Sequence, residues 1–144
     1  MKLHGVKVTR VRNKHVEALV GDYQKRIGRF TSVSSDSLKD ISQKSLESFS
    51  NKGKVVLLDQ RGKGLSSEQL SEKLRLAIDD PVCKQWTFVV GPAYGWPEDI
   101  DPSRYECWSL SHATLPGELA WLVCWEQLYR GYAILKGLPY HHGE

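Results

Sequence analysis

Hydrophobic residues along this chain repeat with a period of two in some stretches and of three to four in others, and the alternation lays out a fold. Val6 and Val8 flank Lys7 within residues 3–9, the pattern of a strand. Asn13 stands where a helix cap belongs. Behind it Val16, Leu19, Val20, Tyr23, Ile27 and Phe30 fall on one helical stripe that Gly28 begins to close. Residues 31–50 hold eight serines, yet Leu38, Ile41, Leu46 and Phe49 share a helical face, so the stretch reads as a short helix capped by Ser35 or Asp36. Residues 54–59 are a short apolar run, the mark of a strand covered on both faces, and residues 60–64 a basic glycine loop. A capping box at Ser66–Gln69 opens a helix carrying Leu70, Leu74, Ala77 and Ile78, which Pro81 stops. A second buried strand, residues 86–90, runs into a glycine loop at 91–95. A further strand follows at 108–111, and then a long helix over 118–136 that Gly137 and Pro139 end.

Strands alternating with helices predict an α/β fold with a mostly parallel sheet covered by helices, as one domain over residues 1–144. Ligands of such sheets bind outside the carboxyl ends of the strands. Loops 59–64, 91–95 and 111–116 are predicted at such ends, which makes them the place to look for a site. The helix over 118–136 has no polar side: Leu119, Leu122, Val123, Trp125, Leu128, Tyr129, Tyr132, Ala133 and Leu135 point in nearly every direction. Burial between two copies of the chain satisfies such a helix, so a homodimer is expected; a central helix covered by its own sheet and neighbours is the other solution.

Composition changes this picture little. The chain is 40% hydrophobic and 26% charged, ordinary for a globular domain. Its longest apolar run, Leu119 to Trp125, is far too short to span a membrane, and the first residues lack the apolar core of a signal peptide. Three cysteines without paired spacing read as reduced thiols of a cytoplasmic protein. Charge is uneven. Residues 1–64 carry 14 Lys/Arg against 6 Asp/Glu, and residues 65–144 carry 6 against 11. The basic half suits a polyanionic partner, and it equally suits a solvated lysine-rich surface.

Motifs narrow the chemistry mainly by exclusion. No P-loop, GxSxG, HExxH or EF-hand pattern is present, and the spacing of Cys107, Cys124, His141 and His142 fits no metal site. Of five tryptophans, Trp96 is the ligand candidate because it sits in a loop between Gly95 and Pro97; the others read as packing residues.

Several stretches taken in order resemble one family. They are Leu57-Leu-Asp59 with Gly62-Lys63 and Leu65-Ser-Ser-Glu68, then Phe88-Val-Val-Gly-Pro-Ala-Tyr-Gly95, then Trp108-Ser-Leu-Ser-His-Ala-Thr-Leu-Pro116. Glu126-Gln-Leu-Tyr-Arg130 and a terminal Pro139-Tyr-His141 complete the set. Together they resemble the RlmH-type ribosomal RNA methyltransferases of the SPOUT (α/β-knot) superfamily. The resemblance implies a deep C-terminal trefoil knot, an obligate homodimer, and methyl transfer from S-adenosylmethionine to N3 of a pseudouridine in large-subunit (23S) rRNA or the assembled ribosome. No metal and no membrane are implied. The cofactor contacts it implies are Leu58, Val90, Gly91, Leu110, Ser111, His112, Ala113, Thr114 and Leu115. Tyr140 and His141 would form the catalytic element, His141 as acceptor of the N3 proton; Arg130 would face RNA or the partner subunit, and His142 RNA. The chain departs from the family's pattern at Val90, Gly117, Trp121 and His142. A second reading therefore stands beside the enzyme, that of a non-enzymatic knotted RNA- or ribosome-binding protein.

Overall fold

The computed structural model describes residues 1–143, and its strands form a single five-stranded sheet in the order β2-β1-β4-β3-β5 with every neighbouring pair parallel. The strands are β1 (Lys2–Val8), β2 (Ser32–Leu38), β3 (Lys54–Gly64), β4 (Gln85–Val90) and β5 (Glu106–Ser109). The helices are α1 (Lys14–Ile27), α2 (Gln43–Ser50), α3 (Ser67–Asp79) and α4 (Gly117–Leu135). No helix among the described residues is long and apolar enough to cross a membrane.

Side-chain alternation along the strands builds two cores. Leu3, Val56, Trp86, Phe88, Val90 and Trp108 face α1, α3 and α4, whereas Val6, Val8, Val55, Leu57 and Val89 face Ile41, Leu46 and Ile100 on the other side. Two of the predicted caps form. Asn13 Oδ1 accepts from the amides of His15 and Val16, and Ser66 and Gln69 complete a reciprocal capping box. Gly137 adopts a φ of 67°, and the amides of Gly137 and Leu138 close back onto the carbonyls of Ile134 and Ala133, a Schellman end to α4.

Two expectations need correction. Residues 31–50 are a strand and then a shorter helix: β2 pairs along its whole length with β1, and α2 is capped by Ser42, not by Ser35 or Asp36. An edge strand takes its order from main-chain pairing, so its serines carried no hydrophobic period. The glycine loop at 60–64 is the second half of β3. Trp108 of β5 pairs with Leu58 and again with Lys63, so residues 59–62 bulge out between two pairings to one residue. Gly62 lies so close to the β5 backbone that a Cβ there would stand 2.6 Å from the carbonyl carbon of Cys107.

The apolar α4 lies between α1 and α3 and across the sheet. Its buried residues Trp121, Cys124, Trp125, Leu128, Gly131, Tyr132 and Ala133 are covered by the protomer itself. Burial pushes the Cys124 thiol up to about 12. Leu119 remains exposed, and Ala120, Leu122, Val123 and Tyr129 are half-buried, so an apolar stripe persists on the outer side. Close docking of α4 depends on Gly5 in β1: a Cβ there would come 2.4 Å from the Trp125 ring and 2.8 Å from that of Trp121. Gly5→Ala is expected to destabilise the protein by about 1–3 kcal/mol through overpacking, measured by urea unfolding.

Candidate cofactor pocket and terminal tail

A cavity of about 420 Å³ opens at the carboxyl ends of β3, β4 and β5. Leu58, Val90, Gly91, Leu110, Ser111, Ala113, Thr114 and Leu115, all predicted there from sequence, line it, and so do Trp96, Gly117 and Ala120. His112 does not; it is exposed and contributes its carbonyl to the wall's support. Val90 is 4% exposed and belongs to the α4-side core, and the space beside Gly91 is filled by the Trp96 ring, 2.7 Å from where a Cβ would lie.

Polar side chains around the cavity are largely spent on holding its loops together. Asp59 accepts from Trp96 Nε1 at 2.9 Å and from the Arg61 amide at 2.9 Å, and pairs with the Arg61 guanidinium at 3.1 Å. Burial alone would raise the Asp59 carboxyl, but these donors hold it below its ordinary value. Gln60 donates to His112 O at 3.3 Å and accepts from Thr114 Oγ1 at 2.8 Å, tying the end of β3 to the loop after β5. Ser111 Oγ accepts from the Ala113 amide at 3.0 Å. What faces the cavity is then chiefly apolar side chain and loop backbone. Leu58, Val90, Leu110, Leu115 and Ala120 offer surfaces for a planar base, and the 91–95 and 111–114 main chain offers hydrogen-bonding edges. That volume and donor set fit an adenosine-bearing cofactor of the size of S-adenosylmethionine.

The terminal tail builds a second cluster. Tyr140 donates to Glu126 Oε2 at 2.7 Å, lies 3.1 Å from the Tyr23 hydroxyl, and stacks edge-on against Tyr129. Burial, with the neighbouring Tyr23 and Glu126, pushes its phenol well above the ordinary tyrosine value, so it stays protonated. Arg130 pairs with Glu126 at 2.6 Å and lies over the Tyr140 ring, 4.8 Å from its centroid. Arg130 also approaches His141 Nδ1 at 3.1 Å, while His141 Nε2 lies 2.6 Å from Glu68 Oε1. A guanidinium only donates, so Nδ1 is the acceptor and the proton sits on Nε2, given to Glu68. His142 is exposed.

Within one protomer these two sets are apart. Gly117 borders the cavity and Arg130 anchors the tail; thirteen residues of helix separate them by about 20 Å. Sequence reasoning placed both sets but missed what joins them. Gln60 and Arg61 had only loop composition to mark them, Glu68 was absorbed by the capping box, and Glu126 was one letter of a motif.

The family described as "Predicted SPOUT methyltransferase" matches residues 1–141. A protein of Koribacter versatilis called "Ribosomal RNA large subunit methyltransferase H" is 37% identical over 148 residues, covering 99% of each chain. One of the same name from Maridesulfovibrio salexigens is 33% identical, covering 98% of each. Among solved structures, a probable methylase family protein from Haemophilus influenzae Rd KW20 superposes with a TM-score of 0.56 at 10% identity, covering 98% of this chain and 70% of that one, a likeness of fold.

The His141 hydrogen bond holds the Glu68 carboxyl below its ordinary value of 4.5. A lowered carboxylate contributes anchorage that is present above the unfolded value and lost as pH falls through the folded one. Carbon-detected NMR titration of Glu68 is expected to give a value under 4.5 that rises towards 4.5 in His141→Ala; the same low value in both proteins would rule out this anchor.

Proposed function

The chain belongs to the SPOUT methyltransferase family, and from that membership and the geometry above we propose that it transfers a methyl group from S-adenosylmethionine to large-subunit ribosomal RNA, at N3 of a pseudouridine. The observation that carries the reading is the near-complete match to relatives named for large-subunit rRNA methylation, together with a cavity where the three strand-end loops meet. It favours the enzyme over a binding protein without catalysis.

S-adenosylmethionine, when bound, supplies an electrophilic methyl on a sulfonium. The loop backbone and apolar side chains of the cavity would hold its adenosine and exclude water, and Trp96, pinned by Asp59, fixes one wall. His141 is the acceptor of the N3 proton. Its Nε2–H is held by Glu68, which orients the ring and stabilises the imidazolium once Nδ1 is protonated. Because Arg130 holds the Nδ1 lone pair at rest, it first swings off Nδ1 and, still anchored by Glu126, offers the freed N–H groups to the base as its proton passes to Nδ1. Tyr140, protonated and bonded to Glu126, positions the tail. Alignment of the base nitrogen with the methyl supplies the larger share of rate enhancement.

Because the pocket and the tail lie at opposite ends of one stretch of α4, we read the active unit as a homodimer. A two-fold axis crossing antiparallel α4 helices near Val123 sets the Arg130 end of one helix beside the Gly117 end of its partner, and covers Leu119, Leu122 and Val123. The C-terminal trefoil knot is part of the same proposal, since membership of the SPOUT family implies it.

Mass spectrometry of ribosomes from a strain lacking the protein, incubated with it and the cofactor, is expected to show one methyl gained on a pseudouridine of the large-subunit rRNA. No gain at any pseudouridine would sink the proposal. For the shared site, Leu58→Arg and His141→Ala proteins, each inactive alone, are expected to regain up to about a quarter to a half of the activity as mixed dimers, since a two-fold pair pools its sites. Mixtures as dead as their parents would place both elements in one protomer.

A further inference from the structure

Lys7 is an unusual residue for its place. It lies in β1 beside Val90 of β4, on the α4 side of the sheet, and is only 4% exposed. Its ammonium donates to the carbonyls of Val8 at 3.2 Å and Thr9 at 3.1 Å, steadying Thr9 at a φ of 80° that a branched residue seldom adopts. The third N–H has no protein acceptor, and Lys7 forms no ion pair among the described residues. Glu118, the acid that acts on it most, spends a carboxylate oxygen on the amides of Arg12 and Asn13 at 2.7 and 2.9 Å. A buried ammonium without a direct ion pair is costly to the fold; burial pushes its pKa down, and the Glu118 charge offsets this only in part.

Its surroundings say what the charge is for. Lys7 Nζ lies 3.5 Å from the point where a Cβ on Gly117 would stand, and Gly117 is part of the cavity wall. Lys7 does not itself line the cavity; the absent side chain of Gly117 lets its ammonium come up behind this wall. Gly117 is also the first residue of the 19-residue α4, whose N-cap, Pro116, has no side-chain hydrogen bond to the helix, so the positive end of the helix dipole meets Lys7 at this corner. The other cation at the cavity, Arg61, is already paired with Asp59.

We propose that Lys7, with the amino end of α4, binds the carboxylate of the methyl donor's amino-acid tail at the Gly117 corner of the cavity. This rests on the cavity being an S-adenosylmethionine site. A carboxylate is the fitting partner because the ammonium stands behind the Gly117 wall of the cavity, and the donor carries a permanent anion while a pseudouridine stays neutral until its proton leaves. RNA phosphates are held outside by the bulk of the chain that carries them.

The test is a calorimetric cycle on the full chain, using S-adenosylmethionine and its decarboxylated analogue as probes, with wild type and Lys7→Met. Wild type is expected to prefer the intact donor by on the order of tenfold to a hundredfold, as for a charge-assisted hydrogen bond, and Lys7→Met to show no preference. An equal preference in both proteins, or none in wild type, overturns the proposal. A fall in affinity for both probes alike, with a lower melting temperature, assigns Lys7 to holding Thr9 only and overturns it too. Loss of turnover with cofactor affinity intact would place Lys7 on the RNA base instead. Wild type that binds neither probe overturns the methyl-donor reading itself, an outcome separate from the others. Lys7→Gln serves as a second variant should the Met protein fail to fold.

Discussion

The close passage of Gly62 across the Cys107–Trp108 backbone is the constraint from which the site follows. Parallel strands end on one side of a sheet, so loops gather there in many folds; what is particular here is that β3 does not stop at its end. It bulges at 59–62 and returns to pair with β5 again at Lys63, and only a residue without a Cβ can make the passage. The bulge delivers Asp59, Gln60 and Arg61 to the mouth of the cavity. Two of these cross-link the neighbouring loops, through Trp96 and through Thr114 and His112. The cavity is therefore a consequence of one backbone crossing plus a small set of hydrogen bonds, and its loops are set before any ligand arrives.

The tail is held by a different logic, a chain of charged and phenolic groups running Glu68, His141, Arg130, Glu126, Tyr140 and Tyr23. Each group has its partner, and the tautomer of His141 is dictated from both sides. Burial and neighbouring groups keep Tyr140 protonated. A helix of fixed rise carries the tail at one end and the cavity rim at the other.

Much of this was legible in the sequence, for reasons that differ element by element. Strands β1 and β4 and helices α1 and α3 announced themselves through period and caps, because their burial is one-sided or complete. β2 did not: an edge strand paired on one side is specified by main-chain bonds, and its serines look like a loop. The second half of β3 was hidden for the same reason, since glycine and lysine carry no hydrophobic signal. For α4, the all-round apolar character was visible, but how much the protomer would cover was not; Gly5 and the flanking helices take most of it. The cavity residues were found because strand-end loops are where α/β folds place ligands, together with family resemblance. Lys7 was invisible, because a lysine between two valines reads as facing water, and only the docking of α4 turns that face inward.

The distribution of tryptophans has a consequence for how the molecule can be watched. Trp86, Trp108, Trp121 and Trp125 are at most 5% exposed and locked in aromatic contacts, while Trp96 is half-buried on the cavity wall with its indole N–H on Asp59. Four indoles are thus shielded from solvent, and the fifth is the one that borders the cavity, where the proposed cofactor would change its surroundings. The chain carries its own optical reporter, placed at the opening that matters and needing no label.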